Sequence, residues 1–234
     1  MRLLVGFFSI VVAGLCALAG LPDALVAQSA PPPGPSRPQS AWVKLCEIPA
    51  TRSPDPFGKE REVGRYTCLT YHERMNGSTA AVIIAVGVRS IQGQLNQQFT
   101  YIVPAGMQLQ PGTRATFFPQ DLWDKAQKNV KLEKSEETRL KAMILPYARC
   151  QSNGCTVETE ATAELIGDLK GHGGLLVFAI NSAGQPVAFP ISLNGFAEVH
   201  DGAPVNNEFY YKARSDLIQQ ILARQKGGGD GAKR

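Results

Sequence analysis

The stretch ARCQSNGCTVE sets Cys150 and Cys155 five positions apart, with Asn153-Gly154 between them. Two thiols this close suit metal ligation, thiol–disulfide exchange or a structural cross-link. Zinc ribbons present paired C-x-x-C knuckles, and thioredoxin-type centres also use C-x-x-C. The C-x-x-x-x-C spacing here matches neither. Asn-Gly is a preferred tight-turn pair, so the expectation is a turn stapled by a Cys150–Cys155 disulfide. A metal clip, or a thiol-redox folding helper using Cys150 and Cys155, stands as the alternative.

Residues with other chemistry are scattered. His72, His172 and His200 lie in separate segments, and their spacing gives no sign of a shared ligand set. Each reads as a surface or turn histidine. Gly171-His172-Gly173-Gly174 resembles a lipase oxyanion motif, but the chain has no G-x-S-x-G elbow and the stretch reads better as a helix-ending turn. H-E-x-x-H, a phosphate loop and a helix-opening G-x-G-x-x-G are also missing from the sequence. Ser182 and Ser192 have no assigned base. Asn76-Gly77-Ser78 fits a glycosylation sequon, which matters only in a host that makes the modification. No catalytic residue, metal or cofactor is therefore expected. The competing reading is a periplasmic hydrolase, which would need His72, His172 or His200 to converge in a pocket.

The compartment decides the fate of the thiols. Arg2, then an apolar run from Leu3 to Ala19, then Pro22 and small residues follow the order of a secretory signal peptide. Cleavage is expected after Ala27, with Ala19 and Ala30 as alternatives. An uncleaved anchor is the competing reading, since a span needs about 17–20 apolar residues. Leu15 before Cys16 argues against a lipoprotein site. Removal of Cys16 leaves Cys46, Cys68, Cys150 and Cys155, an even set that in an exported chain favours disulfides. Of the three pairings, the local ones, Cys46–Cys68 and Cys150–Cys155, are expected, because each joins neighbouring strands or one tight loop.

The elements that hold these residues are mainly strands. The 234 residues are 44% hydrophobic and 19% charged, which fits a globular core. The net charge of +4 is mild and does not imply a nucleic-acid partner. Residues 28–40 are a Pro-rich linker. From 41 to 204 short β-branched or aromatic runs recur about every ten residues, the pattern of an all-β sandwich or barrel. They include AWVKLC, RYTCLTYHE, AAVIIAVGVR, FTYIVP and the Ala115–Phe118 run. GGLLVFAI and PVAFPISL form a hairpin with Gly184 in its loop, and the polar segment between Cys46 and Arg65 reads as a loop. The charged stretch 119–139 predicts a short helix and a solvated loop, and 161–171 predicts a helix capped by Thr162. Residues 205–225 predict an amphipathic C-terminal helix whose Leu217, Ile218, Ile221 and Leu222 form one stripe. That stripe is the candidate partner-binding surface. Packing on its own domain is the blander reading, and Arg214, Arg224 and Lys226 add a membrane-surface alternative. The tail 226–234 is Gly-rich.

Several segments in order resemble the invasion-associated locus B family: Trp42-Val-Lys-Leu-Cys46, Cys68-Leu-Thr-Tyr71, Pro104-Ala-Gly-Met107, Leu109-Gln-Pro-Gly112 and Cys150-Gln-Ser-Asn-Gly-Cys155. Gly184-Gln-Pro-Val-Ala-Phe-Pro190, Leu193-Asn-Gly-Phe196 and Asp201-Gly-Ala-Pro204 complete the series. The resemblance covers residues 41–225. It implies a mainly β fold, an immunoglobulin-like β-sandwich with one or two short helices and the C-terminal amphipathic helix. It also implies an alphaproteobacterial origin, a periplasmic or outer-membrane-associated location, and the four cysteines as disulfide positions. Founding members are associated with invasion of host erythrocytes. It supplies no catalytic residues. The expected function is an exported, non-enzymatic envelope protein that binds a protein partner in the envelope or on a host cell, with peripheral outer-membrane association as an extension.

Overall fold

The computed structural model describes residues 41–48, 52–54, 60–62 and 64–228. The expected signal peptide, the Pro-rich linker and the last six residues of the tail lie outside the described residues. Strands β1 (Val43–Glu47), β2 (Arg52–Pro54), β3 (Glu60–Glu62), β4 (Thr67–Met75), β5 (Val82–Ile91), β6 (Gln97–Val103) and β7 (Thr113–Phe118) come first. Helices α1 (Gln120–Gln127) and α2 (Lys134–Glu137) follow, then β8 (Lys141–Leu145), β9 (Arg149–Gln151) and β10 (Gly154–Ala161). Helix α3 (Ala163–Gly171) leads to the hairpin β11 (Gly174–Ile180) and β12 (Pro186–Ser192), then α4 (Phe196–Asp201) and α5 (Asn207–Gly228).

The strands form an antiparallel six-stranded sheet in the order β1-β4-β5-β6-β10-β9 and an antiparallel four-stranded sheet in the order β12-β11-β7-β8. Period-two alternation explains why they pack. In β6, Phe99, Tyr101 and Val103 point inward; in β11, Leu175, Val177 and Ala179 do the same. These rows share one core with Phe117, Phe189 and Ile191. Burial of each such large side chain stabilises by about 1.5–3 kcal/mol. Tyr101 and Thr113, both buried, share a 2.5 Å hydroxyl–hydroxyl hydrogen bond between the sheets. The chain is thus mainly β, as its strand spacing predicts.

The expected helix over 161–171 is present, and Thr162 Oγ1 accepts from the Leu165 amide at 3.2 Å. The β11–β12 hairpin turns at Gly184, where φ is +78°. Three local readings need correction. The polar segment after Cys46 holds the β2–β3 pair, with Arg52 opposite Glu62, rather than only loop. The charged stretch 119–139 forms the expected short helix and a largely exposed remainder, but that remainder holds the four-residue α2 rather than only loop. Leu122 and Trp123 of α1 are buried with Phe118 against Leu132, Leu140 and Leu176. Its charges pair with one another: Arg139 grips Asp121 through two bonds of 2.7 and 2.8 Å, and Lys125 binds Glu136. Gly174 makes this seat possible, because a Cβ there would lie 2.0 Å from the Trp123 ring. Third, Asn194-Gly195 does more than end a hairpin. Gly195, at φ +81°, opens α4, which buries Phe196 completely.

The six- and four-stranded sheets end in four edges: β1 and β12 are capped, β9 is very short, and β8 is uncovered among the described residues. Along β1 the Val205 amide donates to Lys44 O at 2.9 Å and Asn207 Nδ2 to Cys46 O at 3.1 Å. Along β12 Arg74 Nη1 donates to Pro190 O at 2.7 Å and Trp42 Nε1 to Ser192 O at 2.9 Å. Pro186 and Pro190 remove two more donors from that edge. Strand β9 is only three residues long. Short edges, prolines and covering groups all prevent unwanted strand pairing.

Candidate interaction surface

Both cysteine pairs sit directly across neighbouring antiparallel strands. Cys46 of β1 faces Cys68 of β4 with Cα atoms 4.1 Å apart, and Cys150 of β9 faces Cys155 of β10 at 4.0 Å. Such short separations mark non-hydrogen-bonded pairs, where side chains approach closest. Both pairs are disulfide-bonded. The staple beside Asn153-Gly154 therefore closes the β9–β10 turn, and the other ties the edge strand β1 into its sheet.

The histidines fall in two places. His72, on β4, is buried rather than superficial, and its Nδ1 donates to Ala41 O at 3.1 Å. Its ring lies 5.3 Å from Trp42, which meets Phe196 edge-on at 4.9 Å; Phe196 stacks on His200 at 5.2 Å. His200 Nδ1 is 3.2 Å from Thr70 Oγ1. His172 stands apart beside Phe117 and donates to Asp168 O at 2.9 Å. The structure thus gathers His72 and His200 around one aromatic cluster and leaves His172 out. None of the three lines either of the two surface grooves of about 560 and 570 Å³ beside Arg89 and beside Trp123. No group of three His, Cys, Asp or Glu that could hold a metal occurs among the described residues.

This cluster sets an acid sensitivity. Burial pushes His72 below the ordinary histidine pKa of 6.5, against its bond to Ala41 O; burial and then the Lys170 charge do the same to His200. Both take up a proton less readily in the fold than in the unfolded chain. Their contribution to stability is complete above about pH 6.5 and is lost as pH falls below it. His72 contributes at most about 1.4 kcal/mol per pH unit there, and the half-exposed His200 contributes less. Thermal melts between about pH 7 and 5 should show a falling midpoint, and His72→Gln should flatten that fall.

The C-terminal helix is held by polar contacts that sequence spacing does not reveal. Arg214 grips Glu73 of β4 through two bonds, one of them Nη2 to Oε2 at 2.9 Å. The Tyr71 hydroxyl donates to the same Oε2 at 2.5 Å. The Glu73 side chain is only 7% exposed. Burial pushes its carboxyl up, but the bonds from Arg214 and Tyr71 prevail and hold it below the ordinary glutamate value. Burial, followed by the same negative charge, lifts Tyr210 to about 12. Lys44 Nζ donates to His200 O and Gly202 O at 2.9 and 3.0 Å, tying the end of α4 to β1. Arg214, expected as a cation for a membrane surface, is committed to Glu73 instead.

The four candidate residues do not form one exposed stripe. Ile221 is buried, Ile218 and Leu222 are half-buried, and Leu217 remains exposed. The open apolar ridge lies one step around the helix. Phe209, Ala213 and Leu217 recur at every fourth position and are all exposed, Phe209 at 61% and Leu217 at 46%. The ion pair Lys212–Asp216, at 2.9 Å, flanks this ridge. Phe209 was missed because the sequence pattern draws attention to the denser apolar run after Asp216. Its i, i+4, i+8 relation to Leu217 was the available signal.

Residues 117–204 match the family described as Invasion associated locus B (IalB) protein. Among solved structures, the crystal structure of invasion associated protein B from Bartonella henselae is similar. Identity is 15%, the TM-score is 0.41, and the alignment covers 68% of this chain and 87% of that one. No curated protein matches the chain. The matched residues run from the end of β7 through α4 and take in the stapled β9–β10 turn. Over those residues the chain is similar to the IalB family.

Proposed function

Proceeding from that similarity, we propose that the chain is an exported, non-enzymatic envelope protein whose α5 ridge binds a protein partner in the bacterial envelope. The observation that carries this reading is the ridge itself: three exposed apolar positions on one helix face, on a helix fixed to the sandwich by a buried carboxylate. A row spaced by four residues is the kind that enters the groove of another helix or an apolar cleft. A six-stranded sheet stapled at both ends gives such a ridge a rigid support and suits an oxidising compartment. Among the described residues no helix is long and apolar enough to cross a membrane. Contact with a host cell is the wider form of the same proposal, since the matching family is described as invasion associated.

The test replaces Phe209 and Leu217 together by Ser and follows how the chain fractionates with envelope membranes. Both side chains are exposed, so the melting midpoint should stay within about 1 °C of the unaltered chain. Retention in the envelope fraction should fall at least tenfold. Undiminished retention would contradict the proposal. The hydrolase and thiol-redox alternatives have weaker support, with the histidines outside both grooves and both cysteine pairs closed across strands.

A further inference from the structure

Among the described residues the β8 edge of the four-stranded sheet is left open, and we infer that it is a self-association site: β8 pairs antiparallel with β8 of a second copy, joining two four-stranded sheets into one. The direction of its backbone groups follows from parity. Pro190 and Ser192 of β12 turn their carbonyls away from β11, to Arg74 and Trp42. Hydrogen-bonding direction alternates residue by residue across antiparallel pairs. The registers Leu176 with Pro190, Leu176 with Thr116 and Thr116 with Ala142 carry that alternation to β8. Lys141, Met143 and Leu145 then bond to β7, whereas Ala142 and Ile144 turn both N–H and C=O outward.

Nothing among the described residues covers these groups. The other edges carry prolines, capping donors or only three residues, but KAMIL has no proline and no bulge. Ile144 is 73% exposed on the outer face of the strand. An edge of this kind is a template for another strand. The sequence of β8 suits its own copy. A two-fold axis at Met143 sets each Ala142 opposite the Ile144 of the second copy, with two backbone bonds per pair. The large Ile144 then lies beside a small Ala142. Each Lys141 faces a Leu145, so no like charges oppose. Lys141 is also drawn aside by Glu164 and Asp168, both at 2.6 Å.

The test is sedimentation of the exported chain from about 10 µM to about 1 mM, with amide exchange read at Ala142 and Ile144. The mass should rise toward that of a dimer, and both amides should slow at least tenfold at the high end. Ile144→Pro removes one outward donor from each copy without touching the bonds to β7, and an edge strand tolerates it. It should remain monomeric with its fold intact. Should that variant fail to fold, Ile144→Lys places charge at the same junction and should give the same monomer. A chain that stays monomeric throughout would overturn the inference. So would a dimer in which both amides still exchange freely, or protection that appears only on adding a different protein.

Discussion

Arg214→Ala should unfasten the C-terminal helix and lower the stability of the chain by about 2–4 kcal/mol. The loss comes from the group left behind more than from the bond removed. Glu73 keeps its charge in a site where its side chain is only 7% exposed, with the Tyr71 hydroxyl as its remaining partner. A buried carboxylate without its cation is costly, whereas an apolar pair of similar size is close to neutral. Glu73→Leu combined with Arg214→Met should therefore recover most of the loss. The measurement is denaturant unfolding of both variants, with proteolysis of α5 as the local readout. In Arg214→Ala, cleavage within 207–228 should precede cleavage of the sandwich. Equal effects of the single and double replacements would show that the ion pair does not hold the helix.

The second large effect concerns the cysteines, and the two bridges should differ. Cys46 and Cys68 are separated by 22 positions, Cys150 and Cys155 by 5. On a chain-entropy basis the longer loop contributes about 3.4 kcal/mol and the shorter about 2 kcal/mol. Ser at both Cys46 and Cys68 should thus cost more than Ser at both Cys150 and Cys155. There is a structural reason beyond loop length. β1 is an edge strand, and its outward carbonyls receive Val205 and Asn207. Loosening β1 also loosens the start of α5, so the first variant should lose protection at both places. Unfolding curves of the two variants under oxidising conditions decide the order. A larger loss on removing Cys150–Cys155 would contradict it.

Much of this architecture is legible in the sequence, because strands that face one core must alternate. Phe99, Tyr101 and Val103 announce β6 by themselves, Gly184 marks its hairpin, and Thr162 marks the start of α3. The cross-strand cysteines are legible for a related reason: an even set favours disulfides, and short separation favours the local pairing. What stays hidden depends on distant partners. Nothing local to Arg214 indicates that Glu73, 141 positions earlier, waits on β4. The run Leu217-Ile218 with Ile221-Leu222 indicates a stripe but not which side of it is covered, and the structure turns Ile221 inward while leaving Leu217 outside. The partners within 119–139 escape for the same reason, since spacing marks neither the pairing of Asp121 with Arg139 nor the seat of Trp123 on Gly174. His72 reads as superficial because its burial depends on Trp42, from the segment just before β1.

The measurement that tests the central claim most directly is photo-crosslinking in living cells from a photoreactive residue placed at Phe209. The account predicts one discrete adduct with an envelope protein, lost when Leu217 is changed to Ser and absent when the photoreactive residue is placed at Gln151, on the exposed strand β9. No adduct from Phe209, or the same adducts from Gln151, would contradict a partner-binding ridge on α5.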